Sequence, residues 1–131
     1  MKRTPRDAIV LFAHGARDPG WAEPFRRIQA RLRAACPEAA VELAFLESLQ
    51  PGLADAAARL ADAGVSHMTV VPLFLAQGGH LKEDLPRLVA RIRQTHPAVR
   101  IRVTAAIGDS EALTDAIADW ALAQHREAPG S

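Results

Sequence analysis

The chain has one cysteine, no tyrosine and only 5% aromatic residues among its 131 positions. A single cysteine, Cys36, excludes an intramolecular disulfide and any Cys-x-x-Cys metal site, and such usage fits a reducing compartment. So few aromatics leave no stacking platform for nucleobases. Neither sign of charge dominates, because 16 Lys and Arg face 15 Asp and Glu for a net of +1. The clustered basic excess of a nucleic-acid binder is absent. No apolar run approaches the roughly 18 residues that a membrane span needs. The run behind the basic start Met1–Asp7 covers only Ala8 to Ala13, too short for a secretory h-region. A soluble cytoplasmic protein with no nucleic-acid or membrane partner is expected.

What the chain does have is a hydrophobic fraction of 49%, rich in alanine. With its low net charge, that fraction excludes disorder. The length fits one domain over residues 1–131, with its core at about 8–124. Such a domain buries about two-thirds of its unfolded surface without staples.

Apolar patterning alternates strand and helix four times. Ala8-Ile9-Val10-Leu11-Phe12-Ala13 is continuously apolar and too short for a helix, which predicts a strand buried on both faces. Asp18-Pro19-Gly20 then signals a helix start. Trp21, Phe25, Ile28 and Leu32 follow at helical spacing, up to Cys36-Pro37. Val41–Phe45 reads as the second strand, running on to Leu46-Glu47. Pro51-Gly52 opens a helix carried by Leu53, Ala56, Ala57, Leu60 and Ala61 and closed by Gly64. His67–Leu75 is the predicted third strand, with Pro72 near its C-terminal end. Leu81, Leu85, Leu88, Val89 and Ile92 mark the next helix, which ends near His96-Pro97. Val99–Val103 alternates strictly, as an edge strand does. Gly108-Asp109-Ser110-Glu111 caps a last helix carried by Leu113, Ile117 and Trp120, and the tail Glu127–Ser131 is expected to fray. Trp21, Phe25 and Trp120 are expected in the core.

Four β-α units predict an α/β fold with a parallel sheet and helices on both faces. Continuous apolarity puts strands one and three at the centre, and alternation puts two and four at the edges. The order is then 2-1-3-4 with right-handed crossovers, a flavodoxin-like four-stranded sheet.

In such sheets ligands bind beyond the C-terminal strand ends, at the switch point between strands one and three. His14 ends strand one, and His80 follows strand three. Gly15 stands beside the first histidine, and Gly78 and Gly79 precede the second. Glycine permits sharp turns and close approach of a bulky ligand. Glu47 ends strand two at the same edge. Two imidazoles and a carboxylate suit divalent transition metals, and the same groups transfer protons near neutral pH. Arg17 and the helix N-termini at this edge are candidate partners for anionic groups, as is Lys82 more weakly beside Glu83 and Asp84. His67 begins a strand at the opposite edge, His96 ends a helix where a cation complements the dipole, His125 lies near the tail, and Cys36 is expected to be inert. No P-loop, GxGxxG or Gly-x-Ser-x-Gly pattern is present, so no organic cofactor is indicated.

Three segments carry a resemblance: Val10–Asp18, Ala44-Phe45-Leu46-Glu47 leading to Pro51, and above all Val71–Pro86 with its Gln77-Gly78-Gly79-His80 core. Together they resemble the class II tetrapyrrole chelatases, specifically the short CbiX-type sirohydrochlorin chelatases, over roughly residues 8–124. The resemblance implies a chelatase-like fold and insertion of a divalent metal, Co²⁺ foremost and Fe²⁺ or Ni²⁺ as alternatives, into a polycarboxylated tetrapyrrole for cobalamin or siroheme. It implies that His14 and His80 are the metal-handling pair and Glu47 the accompanying acid. It also implies a homodimer, since longer relatives hold two such modules. Serine often stands in the family where this chain has Ala16, which removes a hydroxyl near the site. The rival readings are a metal-delivery protein using the same histidines and a flavodoxin-like module without metal chemistry.

Overall fold

A computed structural model describes residues 6–127; the tail positions beyond Glu127 that were expected to fray lie outside the described residues. Four parallel strands form one sheet: β1 (Asp7–Ala13), β2 (Ala40–Phe45), β3 (His67–Pro72) and β4 (Arg100–Val103). Their order is β2-β1-β3-β4, as the patterning predicts. Central β1 registers Leu11 with Leu43 on one side and with Val71 on the other. Its two faces explain its continuous apolarity. Val10 and Phe12 enter one core cluster, and Leu11 and Ala13 enter a second on the opposite face.

Helices α2 (Leu53–Asp62) and α3 (Gly79–Thr95) cover the first face with Leu53, Ala56, Leu60, Leu81, Leu85, Val89 and Ile92. Helix α1 (Glu23–Ala35) follows a 3-10 turn at Pro19–Ala22 and packs over β2 on the second face. Its side chains Phe25 and Leu32 are half-buried there, with Trp21 beside them. Asp18 caps the 3-10 turn by accepting from the Gly20 N–H at 2.9 Å. Gly64 stands just past α2 at φ +96°, the left-handed stop expected of it. A second 3-10 turn, Ile107–Asp109, leads into α4 (Glu111–Glu127). Ser110 caps α4, its hydroxyl accepting from the Leu113 N–H at 3.3 Å.

Two expectations are corrected. Strand β3 ends at Pro72, three residues before the predicted Leu75. Pro72 has no N–H to donate, and Leu73 makes the last bond to β1, to the Phe12 carbonyl at 2.8 Å. Trp120 is not core: it is 67% exposed, because α4 packs on neither face of the sheet. No helix among the described residues is long and apolar enough to cross a membrane.

Candidate functional site

The C-terminal strand ends bring three loops together. His14 leaves β1 exposed, and its ring meets Phe74 edge-on with centroids 4.5 Å apart. Phe74 is itself buried and stands edge-on to Phe12, 5.7 Å away. The imidazole is thus mounted on a rigid aromatic stack, with the rest of the ring turned to solvent.

Backbone contacts zip the His14 loop to the Glu47 loop. The Leu46 N–H donates to the Ala13 carbonyl at 2.9 Å, and the Glu47 N–H donates to the His14 carbonyl at 3.0 Å. Gly15 is at φ +89°, and a Cβ there would lie 1.8 Å from the Glu47 carbonyl oxygen. Only glycine meets both demands. Main-chain geometry therefore joins the backbone of Glu47 to that of His14, with both side chains exposed.

His80 is the second residue of α3 and is exposed. Gly78 caps that helix without a side-chain hydrogen bond. A Cβ on Gly78 or Gly79 would meet nothing within 4 Å, so these glycines face open space. His14, Glu47 and His80 therefore occupy one edge. However, among the described residues no group of three His, Cys, Asp or Glu side chains is gathered closely enough to hold a metal ion. Arg17 is exposed in the loop before the first 3-10 turn. Lys82 lines a separate cavity of about 380 Å³ between α3 and the strand-four side, with Gln77, Arg93, Thr104 and Asp109.

Patterning did not reveal a groove running from this edge between α2 and α3. One part, about 210 Å³, is lined by apolar residues that include Phe12, Leu46 and Leu88, and by Asp84, Arg87 and Arg91. A neighbouring hollow of about 240 Å³ shares Phe12, Leu46 and Leu88 and reaches the start of α2. Arg87 and Arg91 are one helical turn apart, exposed, and in no ion pair among the described residues. The i, i+4 arginine spacing was the available signal.

The remaining histidines and the cysteine sit where expected. His67 is exposed at the opposite edge, with Nδ1 3.0 Å from the Ser66 hydroxyl and 3.6 Å from Asp7. His96 caps the C-terminus of α3, and His125 lies in the last turn of α4. Cys36 ends α1 with its thiol 3.2 Å from a Glu38 carboxylate oxygen. That hydrogen bond is the main cause raising the thiol pKa. Glu38 is correspondingly held low, first by its own backbone N–H and then by the thiol.

The sheet order defines a flavodoxin-like α/β protein, with His14 and His80 at the C-terminal strand ends beside the switch point. The CbiX family model matches residues 8–122, and the chain belongs to that family. It is 32% identical over 107 residues to a sirohydrochlorin cobaltochelatase of Sulfurisphaera tokodaii, covering 82% of this chain and 84% of that protein. It is 34% identical over 82 residues to a sirohydrochlorin cobaltochelatase of Methanopyrus kandleri, covering 63% of this chain and 57% of that one. A sirohydrochlorin ferrochelatase of Bacillus subtilis is 28% identical over 112 residues; the match covers 86% of this chain and 43% of that protein. The chain thus spans about half the length of some relatives and most of others. The crystal structure of a putative cobalamin biosynthesis CbiX protein from Marinobacter aquaeolei superposes with a TM-score of 0.82 at 34% identity, covering 93% of this chain and 99% of that one.

Proposed function

We propose that this chain is a sirohydrochlorin metallochelatase that inserts a divalent metal, Co²⁺ foremost and Fe²⁺ or Ni²⁺ as alternatives, into a polycarboxylated tetrapyrrole. The observation that carries the proposal is the exposed His14 imidazole, set against Phe74 and tied through backbone to the Glu47 loop, at the same end of the sheet as His80. The names of the relatives point to the same reaction with cobalt or iron. The metal is a substrate, and no organic cofactor enters the scheme.

Insertion of M²⁺ displaces two N–H protons from the macrocycle. In this scheme His14 and His80 present imidazole nitrogens to the incoming ion and accept those protons. Glu47 completes the shell or relays protons to solvent. Exposed imidazoles that do not close into a tight metal cage suit an ion in passage, which must be released into the ring. The open space before Gly78 and Gly79 admits the macrocycle's edge. Arg17 and the N-terminus of α3 receive substrate carboxylates. The working unit is a homodimer, in the cytoplasm.

The test is an absorbance time course of the purified protein with sirohydrochlorin and Co²⁺, repeated with Fe²⁺ and Ni²⁺, against a no-enzyme control. An enzyme-dependent spectral shift is expected with at least one metal. No acceleration with any of the three overturns the reading and favours a metal carrier, which needs the histidines but no groove for a flat ring.

Arg87 and Arg91 extend the scheme, since guanidinium groups at a groove rim match the carboxylates of this substrate class. Arg87→Gln with Arg91→Gln is expected to raise KM about tenfold and leave kcat within about twofold, as loss of ground-state binding does. An unchanged KM in the same assay would remove these arginines from the substrate site.

A further inference from the structure

The cavity of about 380 Å³ beside α3 has two walls that the sequence builds separately. Along the helix its wall is the stripe Lys82, Pro86, Val89 and Arg93, at i, i+4, i+7 and i+11 and so on one face. The other wall is the chain just past β4, from Val103 to Ala106. Backbone hydrogen bonds fix that second wall. The Thr104 N–H donates to the Val70 carbonyl at 3.0 Å, and the Gly108 N–H donates to the Phe74 carbonyl at 3.0 Å. A Cβ on Gly108 would lie 1.8 Å from the Leu75 carbonyl oxygen, so the turn after β4 sits directly on the segment after β3. The hollow is therefore pre-formed, and its volume is that of a small-ligand pocket.

Its charges do not cancel. Lys82 and Arg93 bring two cations, Asp109 brings one anion, and Gln77 adds an amide. None of the three charged side chains is in an ion pair among the described residues. The Arg93 Nη2 donates to the Ile101 carbonyl at 2.7 Å, which holds the guanidinium against β4. One surplus positive charge matches one carboxylate. A doubly charged phosphate would exceed it and would face Asp109 besides.

Gln77 and Lys82 stand on either side of Gly78, Gly79 and His80 in the chain, so the cavity adjoins the second histidine of the proposed reaction. That position matters for a flat ring. A macrocycle met only by two imidazoles can still turn in its own plane. An arm seated beside His80 stops that rotation and selects which edge of the ring lies there.

We propose that this cavity is the subsite for one carboxylate-ended alkyl arm of the tetrapyrrole. Lys82 is the counter-ion of the carboxylate, Gln77 donates to it through its amide, and the alkyl stem lies against Pro86 and Val103. Arg93 adds positive charge from further along α3. The inference rests on the chelatase reading and adds to it the residues that orient the ring.

The test titrates metal-free sirohydrochlorin into the full chain and follows the pigment's absorbance and fluorescence, so that binding is read before any insertion. Lys82→Met keeps the stem and removes the charge; it is expected to weaken binding about tenfold, as the loss of one charge-assisted hydrogen bond does. Val103→Phe keeps every charge and fills the cavity, and it is expected to do the same. Ala105→Phe, at an exposed position of the same wall, takes its place if that variant does not fold. Lys82→Arg should restore most of the affinity, and Arg59→Gln, exposed on α2, should change nothing. A parent that binds the pigment, with a charge variant and a filled variant that bind it equally well, overturns the arm subsite and leaves the chelatase reading standing. A loss in Lys82→Met alone also overturns it, because attraction at a distance needs no cavity. A parent that binds no sirohydrochlorin overturns the chelatase reading and the subsite together. Free glutarate offers the same chemistry from another source. If millimolar glutarate raises the Tm of the parent but not of Lys82→Met, and does not displace sirohydrochlorin, the cavity belongs to a free dicarboxylate and the arm assignment falls.

Discussion

His14→Ala is expected to slow metal insertion by about 10²–10⁴-fold while the protein stays folded, the range for losing a positioned proton acceptor. The fold should survive because the imidazole is exposed and contributes only its edge contact with Phe74. What disappears is a nitrogen base held at the end of β1 against Phe74. His80→Ala is expected to act in the same direction. If both imidazoles meet the same ion, the double variant should be no slower than about the worse single one, since groups acting as a unit are not additive. His125→Ala, in the last turn of α4, is the control and should leave the rate unchanged. The measurement is the initial rate of the spectral shift with the preferred metal, at several metal concentrations. An unchanged rate in His14→Ala would remove this residue from the chemistry. A loss fully restored by excess metal would reduce its role to capturing the ion.

The strength of these expectations follows how the site is encoded. The edge that carries His14, Glu47 and His80 was legible in the sequence because topology fixes it. Continuous apolarity made β1 and β3 central, and the residues just past them had to line the switch point. Burial of β1 on both faces justified that reading. The reading of β3 was right for position and incomplete for environment. Met68 and Val70 are buried, whereas Thr69 and Val71 on the other face are half-exposed. A run of apolar residues reports that burial is needed and does not name the element that supplies it. The same applies to Trp120, whose spacing from Leu113 and Ile117 demands a covered face that the chain's own sheet does not provide. The groove was harder still. Leu46 and α3 are distant in sequence, and only their tertiary approach turns Arg87 and Arg91 from a solvated helix face into a rim. The coupling of Gly15 to Glu47 was likewise hidden, because a glycine beside a histidine looks the same whether it serves a ligand or the backbone.

Gly15→Ala separates those two roles and carries the largest expected effect on stability. Alanine at φ +89° costs about 1–2 kcal/mol from backbone conformation alone. The added Cβ also collides with the main-chain oxygen of Glu47, which cannot move without disturbing the hydrogen bond it accepts from the Leu49 N–H at 2.8 Å. Together these should destabilise the fold by about 3 kcal/mol, within the range for strain at a special backbone position. For a chain of this size that is a fall of about 10 °C in Tm. Activity should fall with it even below the melting transition, because the two loops that hold His14 and Glu47 are forced apart. Gly78→Ala and Gly79→Ala are the counterparts. Neither new Cβ meets anything, so Tm should stay within a few degrees, and any loss should be confined to KM as the ring's approach is narrowed. Thermal denaturation and steady-state kinetics on the three variants decide the matter. A Gly15→Ala protein with the parent's Tm would mean that the two loops are not rigidly joined. Glu47 would then have to reach His14 by moving when substrate binds.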